Sequence, residues 1–366
     1  MVDALERGGW LRSPRVRDAL LDTPRELFLP EYAEREGLEA VYRDEAIVTK
    51  RSRHGMPLSS SSQPAIMAQM LEQLELADGM RVLEIGAGTG YNAALLARLV
   101  GPSGRVTTVD VDAELARGAR KALRAAGRTA RVVAGDGRHG FAGNAPYDRI
   151  VVTASADAVP VAWFQQLAAD GRLQVPLRLS AGGAQAIALL RRAGPRLRSV
   201  SAIGGAFMPL RQADGAATRT PWPPALVAAH RDGGRETLLR ELHGVAVGAL
   251  SDRAKRRLLS IALDEPRRVA LGLRAAAPAL TLFLSLTVPA RHLVTSAPRF
   301  GVGAITRDGG GLALVEPAYD RSGRTVSSLC AFGSDGAARL LRARVEDWAA
   351  PGRPRAAPPS GSPTGN

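Results

Sequence analysis

The chain has 366 residues, a formal net charge of +14 and a single cysteine. Its length allows two domains, and one cysteine excludes an internal disulfide or a cysteine-rich metal site. Arginine carries nearly all the positive charge, since lysine occurs only as Lys50, Lys121 and Lys255. The basic residues are scattered apart from Arg191-Arg192 and Lys255-Arg256-Arg257, which makes nucleic acid an unlikely partner.

From the N-terminus, Asp3, Glu6 and Arg7 interrupt any apolar core of signal-peptide length. No apolar run reaches the ~20 residues of a membrane span. A cytoplasmic protein with no membrane partner is expected. Pro14 suits the first turn of a helix carrying Val16, Ala19 and Leu20. Thr23-Pro24-Arg25-Glu26 has the form of a capping box, and Ile47-Val48-Thr49 is extended. Ser59-Ser60-Ser61-Ser62-Gln63-Pro64 then precedes a helix with Ile66, Met67, Met70, Leu71 and Leu74 on one face. On residue type alone, the last serine is either an N-cap or a hydroxyl that orients an anion at the exposed amides of the helix start.

The stretch Val82 to Gly90 is a short buried strand followed by Gly86-Ala87-Gly88-Thr89-Gly90 and a helical run to Val100. Glycine lets a ligand approach the backbone and accepts positive φ. The spacing differs from the dinucleotide fingerprint, and Glu84 precedes the first glycine, which suits a cationic ligand without a pyrophosphate. S-adenosylmethionine is the candidate cofactor; a tight turn alone also accounts for three glycines. Further apolar strands end at Asp110 (Arg105 to Val109), at Gly135-Asp136-Gly137 (Arg131 to Ala134) and at Thr153 (Asp148 to Val152). Asp110 has the placement to accept both ribose hydroxyls, and Asp136 to accept from the adenine amino group, at the carboxyl edge of a parallel sheet. Taken singly, each acid is equally a solvated strand-end cap. The five histidines have no metal-ligand spacing, and no metal is expected.

The ordered set Pro24-Arg25-Glu26-Leu27-Phe28, Tyr42-x-Asp44, Ser62-Gln63-Pro64, Val82 to Gly90, Gly135-Asp136-Gly137 and Asp148 to Ala154 resembles the protein-L-isoaspartate O-methyltransferases over roughly residues 10–210. The resemblance implies an α/β fold: a Rossmann-like S-adenosylmethionine-dependent methyltransferase sheet with helices on both faces. It implies Ser62 as the active-site serine. It also implies Glu84, Gly86, Gly88, Gly90, Asp110, Val111, Asp136 and Gly137 around the cofactor. Ser61, Gln63, Thr153, Pro176 and Arg178 are candidates on the substrate side. Two departures fall there: Ser60-Ser61-Ser62 stands where the family has Thr-Ile-Ser, and Pro176-Leu177-Arg178 where it has Pro-Val-Gly.

The reading divides the chain into a catalytic domain over 1–210, with its cofactor core at about 62–180, and a linker over 211–224. A smaller C-terminal α+β domain over 225–350 and a disordered tail over 351–366 follow. Within the C-terminal domain, Asp252 to Ala262 and Ala337 to Trp348 read as helices. Ala279 to Val288, Ala304 to Arg307, Gly311 to Glu316 and Thr325 to Phe332 read as strands, with turns at Asp308-Gly309 and Ser322-Gly323. The expected reaction is esterification of an aspartyl or isoaspartyl carboxylate in a protein or peptide, followed by succinimide closure. Two substrates stay open. One is damaged protein. The other is an Asp in a ribosomally made precursor peptide engaged by the C-terminal domain, because the extension resembles that of homologues associated with lanthipeptides and graspetides.

Overall fold

Short apolar runs bounded by turn residues become the strands of a seven-stranded sheet in the computed structural model. The structure describes all residues except 53–54, 56, 180–184, 213–224, 233–234, 275–279, 281–282, 285–286, 290, 298–300, 320–324 and 350–366. The chain divides into two units, Met1–Leu177 with Ala186–Arg219, and Arg178–Gln185 with Thr220–Asn366. The expected tail, the Ser322-Gly323 turn and all of the expected linker except Arg211 and Gln212 lie outside the described residues.

In the first unit, β1 (Ile47–Arg51) and β2 (Pro57–Ser61) form an antiparallel hairpin. The main sheet comprises β3 (Arg81–Ile85), β4 (Arg105–Asp110), β5 (Arg131–Ala134), β6 (Tyr147–Val152), β7 (Leu167–Arg178), β8 (Gln185–Ala193) and β9 (Arg196–Gly204). Their order is β5-β4-β3-β6-β7-β8-β9. β3 to β7 pair in parallel, and β8 and β9 are antiparallel. The strands are apolar on both sides because both sides are covered. Val82, Val106 and Val151 join one cluster with helices Pro14–Leu21, Pro64–Leu74 and Tyr91–Val100. Leu83, Ile85, Val109, Ile150 and Val152 join another with Trp163 and Leu210. Truncating a side chain such as Leu83 to alanine costs about 2–5 kcal/mol. The chain leaves β3 toward β4 and β5, then returns to β6 on its other side. That reversal opens a crevice at the carboxyl ends of β3, β4 and β6, where open α/β sheets bind ligands.

In the second unit, β10 (Ala225–Asp232), β11 (Arg235–His243), β12 (Arg267–Arg274), β13 (Leu293–Ala297), β14 (Gly301–Ile305), β15 (Gly311–Tyr319) and β16 (Thr325–Gly333) form a sheet ordered β10-β11-β13-β14-β15-β16-β12. All its described pairings are antiparallel. Alternation again serves two faces. Ala313, Val315, Leu329 and Ala331 pack with helix Asp335–Ala349. Leu312, Leu314, Cys330 and Phe332 pack with helix Asp252–Ala262.

Two sequence expectations change. The strand expected over 279–288 is helical where described: Leu280, Phe283, Leu284 and Thr287 are helical, and Val288 donates its amide to the Leu284 carbonyl. A continuous apolar run does not distinguish strand from buried helix; here Leu280, Leu284 and Val288 share the buried face. The capping box at Thr23 does not form. Arg25–Phe28 is a single 3-10 turn, the Thr23 hydroxyl is buried without a partner, and Glu26 accepts instead from the Tyr42 hydroxyl.

Candidate active site

The glycine loop is built by backbone strain that only glycine relieves. Gly86, Gly88 and Gly90 have φ of 103°, 51° and 88°, in or beside the left-handed region. Gly86 donates its amide to the Val109 carbonyl at 2.8 Å. A Cβ on Gly86 would collide with the Thr153 hydroxyl, and one on Gly90 would press on Ala119 at 3.2 Å. At Gly88 a Cβ would make ordinary van der Waals contact with strand β2, 3.7 Å from the Ser60 carbonyl and 3.8 Å from the Ser59 hydroxyl. Gly88 is thus the glycine of the loop that packs beside the hairpin strand β2.

Asp110, at the end of β4, is 7 % exposed. One carboxylate oxygen accepts from the Gly88 amide and the other from the Asp112 amide, both at 2.9 Å. A carboxylate accepts about four hydrogen bonds, so each oxygen keeps capacity for a ligand hydroxyl. Burial pushes the Asp110 carboxyl above its ordinary range, partly offset by these two amides. Val111, half-buried, follows it. Asp112 caps helix Ala113–Ala125 and pairs with Lys50 of β1 at 2.8 Å, and Lys50 also pairs with Glu114 at 2.6 Å. Lys50 therefore ties the hairpin to the cofactor side of the sheet.

Several expected contacts have other occupations. Glu84 is fully buried; it accepts from the Asn92 amide at 2.7 Å and the Thr108 hydroxyl at 2.5 Å. Burial raises its pKa to about 7. It joins strand to helix beneath the loop rather than facing a ligand. Asp136 caps the turn Gly137–His139 and is held bidentately by Arg138, whose hydrogen bonds pull its pKa down. An adenine amino group would have to share that carboxylate. Gly137 is a packing glycine: a Cβ would meet Ile85 at 2.5 Å, and its carbonyl accepts from the Trp163 indole at 2.8 Å. The Thr153 hydroxyl donates to the Ile85 and Gly86 carbonyls at 3.0 and 2.8 Å, steadying the loop instead of reaching for substrate.

On the substrate side, alternation along β2 buries Ser59 and Ser61 and leaves Ser60 half-buried; Ser62, just past the strand, is also half-buried. Ser61, 3 % exposed, accepts from Arg25 at 3.3 Å and is withdrawn from a substrate role. The Ser62 carbonyl accepts from Arg25 at 3.0 Å. Gln63 occupies the N-cap position of helix Pro64–Leu74 without making a side-chain cap. Asp44 makes it instead, accepting from the Ala65 amide at 2.7 Å and from the Gln63 side chain at 2.9 Å. Pro176 is buried in β7, where its carbonyl accepts from the Ala156 amide at 2.9 Å, and Arg178 ends the strand half-buried. Residue-type reasoning assigned no role to Arg25, Asp44, Lys50, Asn92 or Thr108. The signal for the first two was their place in the family-like runs, since neither contact is local in sequence.

A model of the protein-L-isoaspartate(D-aspartate) O-methyltransferase family matches residues 1–215. The chain belongs to that family. The protein-L-isoaspartate O-methyltransferase of Methanothermobacter thermautotrophicus is 38% identical over 216 residues, 57% of this chain and 93% of that one. The enzyme of the same name from Hyperthermus butylicus is 40% identical over 186 residues, 48% of this chain and 73% of that one. Among solved structures, a protein-L-isoaspartate O-methyltransferase is 27% identical, covers 91% of this chain and 86% of its own, and has a TM-score of 0.49. A Plasmodium falciparum structure described as a complex with S-adenosyl-L-homocysteine is 18% identical, covers 58% of this chain and 96% of its own, and has a TM-score of 0.49.

The chain is accordingly an S-adenosylmethionine-dependent O-methyltransferase acting on isoaspartyl carboxylates of proteins or peptides. The spare acceptor capacity of Asp110, beside the glycine loop it braces, fits that cofactor. Among the described residues, no helix is long and apolar enough to cross a membrane, and no group of three His, Cys, Asp or Glu side chains is gathered for a metal.

Proposed function

We propose that residues 1–210 form the catalytic domain and that Ser62 touches the reacting carboxylate. In this reading Asp110 holds the ribose, and the backbone of Gly86 to Gly90 lies along the methionine part of the cofactor. When bound, S-adenosylmethionine supplies an electrophilic methyl group. Everything else asked of the chain is holding and orienting. A carboxylate with a reference pKa near ~4 is already ionised at neutral pH, so no general base is required. Rate then comes from alignment of the attacking oxygen, where ~1 Å of misplacement costs on the order of 10²-fold. The methyl ester is a better leaving group than the acid. The next backbone nitrogen displaces methanol, closing a succinimide that hydrolyses to aspartyl and isoaspartyl products.

The observation carrying this reading is the approach of β2 to Gly88, 3.7 Å from the Ser60 carbonyl to where a Cβ would stand. It brings the segment leading into Ser62 alongside the glycine loop. Ser62→Ala should lower methyl transfer to an isoaspartyl peptide by roughly 10²-fold and leave S-adenosylhomocysteine affinity within a few-fold. Undiminished transfer would remove Ser62 from the mechanism.

A narrower substrate reading is that the C-terminal unit engages a particular peptide partner, such as a modified precursor peptide. It is supported by one fact: the family match ends at residue 215, while Thr220–Asn366 group into a unit with apolar clusters of its own. Comparing full-length and shortened chains on long and short substrates tests it.

A further inference from the structure

Arg25 is fully buried, yet its hydrogen-bonded partners are all neutral. The guanidinium donates to the carbonyls of Val41 at 2.7 Å, Arg43 at 3.3 Å and Glu45 at 3.3 Å. It also donates to the Ser61 hydroxyl at 3.3 Å and the Ser62 carbonyl at 3.0 Å. One side chain thus binds the 41–45 segment to the backbone of Ser62. Asp44, exposed on that same segment, reaches past Ser62 to the Gln63 amide group and the Ala65 N–H. Ser62 is therefore held from before and from behind by one bracket. Its hydroxyl makes no hydrogen bond among the described residues, so the bracket fixes the backbone without engaging the side chain.

The bracket also extends toward the glycine loop. The Arg25 backbone amide donates to the Tyr42 hydroxyl at 3.1 Å, and that hydroxyl donates to Glu26. Tyr91, the first residue of the helix after Gly90, is buried, stacks obliquely on Phe28 at 5.4 Å and lies within electrostatic reach of Arg25. The cluster thus lies between the serine segment and the helix that the glycine loop opens. A buried cation whose direct acceptors are all neutral, with the Asp44 carboxylate only within electrostatic reach, is a poor device for stability, because apolar replacement of buried charge is often neutral or favourable. It is a good device for fixing backbone direction, since five donors in a rigid fork reach several acceptors at once.

We propose that Arg25 and Asp44 are positioning residues for methyl transfer, clamping the backbone on either side of Ser62 so that its hydroxyl meets the substrate carboxylate. The inference rests on the role given to Ser62 above.

The test uses the full chain, S-adenosylmethionine and an isoaspartyl peptide, with Arg25→Lys, Asp44→Ala, Ser62→Ala and the two double variants. Arg25→Lys should lower kcat by roughly 10²-fold and Asp44→Ala by roughly tenfold, in line with small misplacements. S-adenosylhomocysteine Kd should stay within about threefold of wild type, because groups acting on Ser62 leave the cofactor loop in place. Each double variant should be no slower than Ser62→Ala, since residues acting through one group are not additive. Should Arg25→Lys fail to fold, Asp44→Ala, altered at an exposed side chain, carries the same cycle. A wild-type kcat in Asp44→Ala, or losses that multiply with that of Ser62→Ala, overturns the clamp. A wild-type kcat in Ser62→Ala instead overturns the reading of Ser62 itself.

Discussion

The first unit buries Arg25, Glu84, Asp110 and Arg149, whereas among the described residues of the second the buried charged side chain is Glu316. Both sheets are covered on both faces by apolar clusters, so the difference is not one of architecture. Burying a charge is expensive unless it is paired or well hydrogen-bonded. Glu84 and Asp110 lie at the carboxyl ends of β3 and β4, beneath and beside the glycine loop, and Arg25 is within electrostatic reach of Tyr91, which follows that loop. Arg149 lies elsewhere. It donates to the carbonyls of Leu74 and Glu75 at the C-terminus of helix Pro64–Leu74, where a cation complements the helix dipole. A buried charge therefore marks the site only when its neighbours lead to the same opening.

The sharpest way to break this comparison is at Asp110. Asp110→Ala should weaken S-adenosylhomocysteine binding at least ~10²-fold, because two charge-assisted hydrogen bonds are lost at about 1.5–3 kcal/mol each. The fold should survive; unchanged affinity in isothermal titration would mean that β4 does not carry the ribose acceptor. Removing residues 220–366 should have a smaller effect. The first unit should still bind S-adenosylhomocysteine and retain transfer to a short isoaspartyl peptide, while losing about tenfold on long substrates, as expected for lost positioning. Equal rates on every substrate would leave the C-terminal unit without a part in catalysis.

Glu84 allows a pH test. Its pKa is raised from 4.5 to about 7 by burial, so the stability it contributes is fully present below its unfolded pKa and is lost as pH rises through about 7. Glu84→Gln has no such loss. The melting temperature of the variant minus that of wild type should grow from near zero at about pH 5 to several degrees at about pH 8. A difference that stays flat, or a collapse of cofactor affinity, would return Glu84 to the ligand side. The smallest effect belongs to Arg149→Met, which should lower the melting temperature by a few degrees and leave kcat unchanged. A kinetic defect there would blur the distinction between site charges and scaffold charges.

The parallel strands and the glycine loop were legible because buried strands are short apolar runs with turn residues at their ends. The helical residues within 279–288 were not, since an apolar run of that length has no period to read. The four serines before Gln63 are chemically identical in the sequence; only the alternation of β2 separates Ser61, turned to Arg25, from Ser62. Asp44 caps a helix that begins at Pro64, a partnership with no local pattern. The acids at the strand ends were visible as a set. Their division into an amide-held carboxylate with spare capacity (Asp110), a buried brace (Glu84) and an arginine-held cap (Asp136) depends on contacts that the strand pattern does not display.

The fit between Gly86 and Thr153 has a consequence for how such sequences can drift. The hydroxyl that steadies the loop fills the volume a side chain at Gly86 would need. Neither position can change alone without cost. Enlarging residue 86 would need a smaller residue at 153 and would still strain the backbone at φ 103°, and shrinking residue 153 releases two carbonyls from the hydroxyl that holds them. The loop's first glycine and the end of β6 therefore form one inherited unit, and a recombination joint placed between them would separate residues shaped to each other.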